Sequence, residues 1–257
     1  MHESADAVTV HTFGLDETGV LQRLGELATG DHPLVATSAS DGIVTVHVRS
    51  PRRDVCPTRQ QQDDTATQVE QRLGPFAFGR GSQSLAASLV MLLADQKRTL
   101  VTAESCTGGW VGKLITDVPG ASGVYLGGWV VYANEMKTQQ LGVPAALIRQ
   151  HGVVSQAVAV AMATGAIRHS GSDLAVAVTG IAGPGGGVAG KPVGTVWLGV
   201  ARAYKDGPAT TGACLCRLPG DRATVRRLAA GCAMQLLRFT LLGVPVETFC
   251  ISSGMAL

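Results

Sequence analysis

The chain has 257 residues, 46% of them hydrophobic, and a formal net charge of +2 at pH 7. That content supports one or two well-buried globular domains and excludes a disordered chain, while a charge so near zero leaves no footprint for a polyanionic partner. No run reaches the roughly 18 apolar residues of a membrane span, and MHESADAVTV has neither the basic start nor the apolar core of a signal peptide, so a cytoplasmic protein is expected.

VTVHTF (8–13) reads as a strand, and Asp16 as the cap of a helix through ETGVLQRLGELA with Val20, Leu21, Leu24 and Leu27 on one face. Asp41-Gly42 signals a turn, and IVTVHVRS alternates Val44, Val46 and Val48 with Thr45, His47 and Arg49, as a half-buried strand does. PRRDVCPTRQQQDDT is polar and reads as a loop; ATQVEQRLG returns to helical spacing. FAFGRGSQS, rich in Gly and Ser, reads as a domain boundary.

Beyond it Ala, Val and Gly dominate. SLAASLVMLLADQ predicts a helix, TLVTAES (99–105) a strand, GGWVGKLITDV a helix and YLGGWVVYA (125–133) a strand. NEMKTQQLG and PAALIRQHG are short helical turns, and Ser155 caps QAVAVAMATGAIRHS. LAVAVTG, GTVWLGVARA and GACLCRL are apolar strands, and Asp221 or Gly220 opens a last helix, RATVRRLAAGCAMQLLRFTLL. VPVETFCISSGMAL shows no periodicity. Helices alternating with near-continuous apolar strands imply an α/β sheet covered on both faces, and the short connections between the last strands imply a mixed one.

The six cysteines, Cys56, Cys106, Cys214, Cys216, Cys232 and Cys250, are scattered, as reduced core residues are. Cys214 and Cys216 alternate onto one strand face without the spacing or the second pair that zinc needs. No metal is expected.

TAESCTGGWVGK (102–113) is the stretch with chemistry in it. A strand-to-helix junction places Ser105 where α/β sheets form their sites. Gly108 and Gly109 allow close backbone approach, and N–H groups of the turn from Cys106 through Thr107 to Gly109 are donors for an anion or oxyanion. The same pattern serves a plain tight turn. A serine nucleophile needs a base. His151 and His169 are equally well explained as helix-terminal residues, whereas Lys137, directly after an apolar strand, offers a Ser–Lys pair. It must be uncharged, which means lowering a lysine from about 10.4 to roughly 7–8, about 4 kcal/mol that burial can supply. A solvated helix lysine is the alternative, and Cys106 is the rival nucleophile or a buried structural thiol. TGIAGPGGGVAGKPVGT (179–195) exposes Gly183, Gly185, Gly186 and Gly187 as a candidate anion nest or a flexible turn. In GDRATVRR, Arg222, Arg226 and Arg227 cluster at a helix start, where Arg222 can fork onto a phosphate or carboxylate or be solvated.

Together TAESCTGGWVGKLIT, GGWVVYANEMK, VTGIAGPGGG with GKPVGTVWLG, and GDRATVRR resemble the C-terminal domain of the CinA family, also found alone as nicotinamide mononucleotide deamidase (PncC). The resemblance implies a three-layer α/β/α domain with a mixed sheet over residues 82–242. It implies hydrolysis of nicotinamide mononucleotide to nicotinic acid mononucleotide and ammonia, with Ser105 as nucleophile, Lys137 as base and Tyr132 beside them. Asn134, the segment Thr179, Gly180, Ile181, Ala182 and Gly183, and Arg222 then bind substrate, with Arg226 a second candidate for the phosphate. No cofactor is implied. HTFGLDETGVLQRLGEL and LGPFAFGRGSQSL resemble the small α+β KH-like region of long CinA proteins, giving a first domain over 1–78 and a tail over 243–257. The molybdopterin-binding-like domain with which those members begin is not in this sequence. Without a G-x-x-G loop or basic stripe, the KH-like region is not expected to bind nucleic acid. A silent nucleotide-binding module and an amidase of another nucleotide carboxamide are the competing readings, and the sequence leaves open whether the chain is a homo-oligomer.

Overall fold

The structure, a computed structural model, describes residues 7–30, 33–49, 58–204 and 207–252. It divides into two compact units, Met1–Leu85 and Ala86–Leu257.

In the first unit, β1 (Val8–Phe13), β2 (Leu34–Ser40), β3 (Ile43–Arg49) and β4 (Ala77–Arg80) form an antiparallel sheet of order β2-β3-β1-β4. Helices α1 (Glu17–Leu24) and α2 (Arg59–Leu73) pack on the apolar side, where Val10, Val20, Leu24, Val44, Val46, Val48, Ala66 and Val69 are buried. Asp16 caps α1 by accepting from Gly19 N–H, but the expected four-residue stripe is narrower: Leu21 is exposed. A strand missing from the sequence reading, β2, pairs with β3 through Asp41-Gly42, both at positive φ (57° and 80°), as a two-residue hairpin loop demands. Two further expectations are corrected. The polar segment read as a loop is helical from Arg59 on, because Thr58 and Gln61 form a capping box. FAFGRGSQS is not only a boundary, since Ala77–Arg80 is the edge strand paired with β1. Cys56 lies outside the described residues.

The second unit carries α3 (Leu85–Asp95), β5 (Leu100–Glu104), α4 (Trp110–Thr116), β6 (Tyr125–Val130), α5 (Asn134–Leu141), α6 (Ala145–His151), α7 (Gln156–Ser170), β7 (Leu174–Gly180), β8 (Thr195–Tyr204), β9 (Gly207–Arg217), α8 (Arg222–Leu241) and α9 (Val246–Ser252). The sheet order is β6-β5-β7-β8-β9, with β6, β5 and β7 parallel and the last two strands antiparallel, so the sheet is mixed. Strand parity divides the core. Ala103, Ala175, Ala177 and Ala201 pack with Val158, Met162 and Ala166 of α7 in one layer, while α8, with fourteen buried residues, covers β7 and β8 from the other. The tail without periodicity carries a helix: α9 seats Phe249, fully buried, edge-on against Phe239 at 5.7 Å between ring centroids. Its three-residue spacing from Val246, which sits over Gly212, is too short a repeat to show as periodicity.

Small residues set the distance between α7 and the sheet. A Cβ at Gly199 would overlap the carbonyl oxygen of Ala159, a backbone atom with no rotamer to escape by. Gly199→Ala is therefore expected to destabilise the second unit by about 1–3 kcal/mol, read as a lower urea midpoint; an unchanged midpoint would show that α7 shifts freely.

Among the described residues, no helix is long and apolar enough to cross a membrane, and no three His, Cys, Asp or Glu side chains gather as metal ligands.

Candidate active site

The connection leaving β5 runs through α4, and that leaving β6 runs through α5, α6 and α7 over the opposite face, so a crevice opens at the C-terminal ends of β5 and β7. Although β5 ends at Glu104, Ser105 still donates its N–H to Val178 O at 2.9 Å. Successive residues of an extended chain point to opposite faces. Glu104 accordingly meets α4 and Ser105 meets α5.

Lys137 Nζ lies 3.1 Å from Ser105 Oγ. The lysine is 0% exposed and Ser105 8%. Nζ also donates to Val131 O at 2.8 Å and Tyr132 O at 3.1 Å, the two carbonyls that lead into α5. An uncharged amine has two hydrogens and one lone pair. In that form the two carbonyls suffice for the hydrogens and the lone pair is free to accept the serine O–H; in the charged form Nζ donates to Ser105 Oγ as well. Burial pushes Lys137 below the usual lysine range, against weaker opposing pulls from Cys106 and Glu135. The solvated-lysine alternative is thereby excluded. Cys106, the rival nucleophile, is buried and its thiol is pushed up to about 12 by desolvation, so it holds its proton.

The dyad forms the floor of a cleft of about 280 Å³. Of the residues singled out in the sequence, Ser105, Cys106, Tyr132, Asn134, Lys137, Thr179, Gly180, Ile181, Ala182, Gly183 and Arg222 line it. Thr107, Gly108 and Gly109 do not. Gly108 N–H is spent on Ser105 O (3.0 Å) and Gly109 N–H on Glu104 Oε2 (3.0 Å), which corrects the expectation that the whole turn offers donors. What remains is the N–H of Cys106 and of Thr107, for which no acceptor outside their own residue is found among the described residues. The arginines also separate. Arg222 lines the cleft, donating to Gly183 O and to Tyr132 Oη, both at 2.9 Å, and so bridges its two walls. Arg226 is committed elsewhere: it donates to Cys106 O (3.0 Å) and Thr107 O (2.8 Å) and lies over the Trp110 ring at 5.2 Å. His151 and His169 are exposed in the last turns of α6 and α7, away from the cleft.

Two features escaped the sequence reading. Val153 and Val154 complete the cleft, held by Thr179 Oγ1 donating to Val153 O (3.0 Å) and Lys191 Nζ to Val154 O (2.8 Å). Glu104, 1% exposed, accepts three N–H groups at the start of α4. A carboxylate closing an otherwise apolar strand, just before Gly-Gly and a helix, was the signal for it.

The profile of the CinA C-terminal domain matches residues 82–241, well over half of the chain, and that of the damage-inducible protein CinA KH domain matches residues 8–79. The chain belongs to the CinA family. A putative competence-damage inducible protein of Symbiobacterium thermophilum is 43% identical over 242 residues, covering 91% of this chain and 56% of its own. A CinA-like protein of Gemmatimonas aurantiaca is 41% identical over 90% of this chain and 53% of its own. The chain thus spans about half the length of the curated relatives it matches. Among solved structures, a competence/damage-inducible protein of Agrobacterium tumefaciens superposes with a TM-score of 0.56 at 36% identity, covering 62% of this chain and 93% of its own. A CinA-superfamily protein of Escherichia coli gives 0.55 at 35% identity, covering 60% and 88%. In CinA terms the first unit is the KH-like domain and the second the C-terminal domain that holds the Ser105–Lys137 cleft.

Proposed function

We propose that this CinA-family chain is an amidohydrolase that converts nicotinamide mononucleotide and water to nicotinic acid mononucleotide and ammonia through a Ser105–Lys137 dyad. The observation that carries the reading is the surround of the buried Nζ: Val131 O and Tyr132 O are acceptors enough for the two hydrogens of an uncharged amine, and Ser105 Oγ stands 3.1 Å away at its third position.

Ser105 Oγ attacks the carboxamide carbon as its proton passes to Lys137. The N–H of Cys106, next in sequence to the nucleophile, stabilises the oxyanion, the role such a residue takes on a strand–nucleophile–helix turn. Lys137 returns the proton to the departing nitrogen, the C–N bond breaks and ammonia leaves an ester on Ser105. Water, deprotonated by the same amine, then cleaves the ester and restores the hydroxyl. The pyridinium ring draws electrons from the carboxamide, so a lysine is base enough. The phosphate is received by Arg222 and the N–H groups of Gly185 and Gly186, which border the cleft. The reaction draws only on these side chains and water, and the protein acts in the cytoplasm on a free nucleotide.

The test is kcat/KM for ammonia release from nicotinamide mononucleotide against nicotinamide riboside, nicotinamide and glutamine. The mononucleotide is expected to lead. A higher value for glutamine, or none for any amide, overturns the reading. Arg222→Met is expected to raise KM for the mononucleotide about 10–100-fold, the size of one or two lost charge-assisted hydrogen bonds, while leaving the riboside little changed. An equal effect on both would remove the phosphate from Arg222.

A further inference from the structure

The nucleophile turn is fixed from both sides by neighbouring residues of one strand. On the sheet side, Ser105 N–H stays in the ladder with Val178. On the helix side, Glu104 Oε2 accepts from Gly109 N–H at 3.0 Å and Val111 N–H at 3.1 Å, and Oε1 from Gly112 N–H at 2.9 Å. Among the described residues, no lysine or arginine pairs with this carboxylate. Its acceptors are filled by backbone donors, the first free N–H groups of α4. The surroundings are built to this fit: a Cβ on Gly112 would stand 2.7 Å from Tyr125 Oη and 3.6 Å from Glu104 Oε1.

The consequence reaches the cleft through peptide geometry. In a trans peptide the C=O and the following N–H point in opposite directions. Ser105 O is turned inward to Gly108 N–H, and Cys106 O and Thr107 O are turned to Arg226. The N–H of Cys106 and of Thr107 are therefore directed away from those partners, and among the described residues neither has an acceptor on another residue. The far end of this arrangement is the Gly109 N–H on Glu104. Released there, the Ser105–Gly109 turn keeps its strand anchor and its Arg226 hydrogen bonds but loses its hold on the carboxylate at the start of α4.

We infer that Glu104 is the positioning residue of the nucleophile turn: its buried carboxylate holds the start of α4 and thereby orients Ser105 and the Cys106 N–H. It also acts as a resident anion. With the N–H groups of Gly109, Val111 and Gly112 spent on Glu104, the start of α4 offers none of these donors to a substrate phosphate, which is directed to the Arg222 end of the cleft. This inference rests on Ser105 being the nucleophile.

The experiment compares wild type, Glu104→Gln and Glu104→Ala by steady-state ammonia release and by the rate at which a fluorophosphonate labels Ser105, with Ser105→Ala as the blank. Glutamine keeps the volume but turns an N–H₂ toward N–H donors. Glu104→Gln is expected to lose about 10–100-fold in kcat, the scale of a small misplacement of reacting groups, with KM nearly unchanged and labelling slowed in parallel. Formate, a carboxylate small enough for the vacated space, is expected to restore part of both rates to Glu104→Ala and to change neither wild type nor Ser105→Ala. Should Glu104→Ala fail to fold, the kcat–KM split and the labelling rate of Glu104→Gln decide. A folded Glu104→Gln labelled as fast as wild type overturns the inference alone. A wild type that is labelled but releases no ammonia overturns the substrate reading and leaves the inference standing, to be decided by the labelling rates. A wild type not labelled at Ser105 overturns both.

Discussion

Ser105→Ala is expected to abolish ammonia release from nicotinamide mononucleotide, with kcat down by about 10⁴-fold or more, as when a hydrolase loses its nucleophile. The fold should survive. Ser105 contributes one side-chain hydrogen bond, to Lys137, and its backbone N–H remains paired with Val178 O. A loss of about 1 kcal/mol moves the melting temperature by only a few degrees. The same variant should still bind the mononucleotide, because Arg222 and the 183–186 loop are untouched. Binding without turnover is what separates a removed nucleophile from a collapsed site. Residual activity near the wild-type rate would assign the chemistry to another group, and Cys106, its thiol held protonated by burial, is not equipped for it.

Lys137→Met should be nearly as damaging, about 10²–10⁴-fold in kcat, the range for loss of a general base. Methionine roughly fills the buried volume but leaves Val131 O and Tyr132 O without a donor, so a stability loss of about 1–3 kcal/mol accompanies it. The pH dependence has a definite sign. Burial lowers the lysine, so the amine is charged below that lowered value and neutral above it. Charged, it donates a third hydrogen to Ser105 Oγ and cannot accept the serine proton. The rate of the wild type should fall as pH drops through the lowered value and reach its plateau before the ordinary lysine range. A rate flat from mildly acid to neutral pH would contradict a lysine base.

Much of this site was legible because its chemistry sits on sharp local signals. An apolar strand followed by small polar residues and Gly-Gly fixed the place of Ser105 in the topology. YANEMK put a lysine just after another strand. Spacing could not say that β5 and β6 are neighbours, and that pairing is what brings residues 105 and 137 within 3.1 Å. Nor could it separate Arg222 from Arg226. The two lie one helical turn apart, and their partners, Gly183 and Tyr132 for one and the 106–107 carbonyls for the other, come from distant loops. Glu104 is silent in the sequence for the opposite reason. A carboxylate in a strand reads as a solvated end unless the N–H groups that neutralise it are known. In the first unit the missed strand β2 has a half-exposed, Ser- and Thr-rich alternation, and the polar start of α2 depends on a cap rather than on an apolar stripe.

The dyad works only with an uncharged amine beside the serine, and the direct measurement is a titration of the lysine side chains by ¹³Cε NMR on selectively labelled protein. Only five lysines are present, so Lys137→Met identifies the resonance. With Lys137 as the base, this signal titrates below the other four and in step with the acid limb of kcat/KM. A Lys137 signal that titrates together with the other four would contradict it.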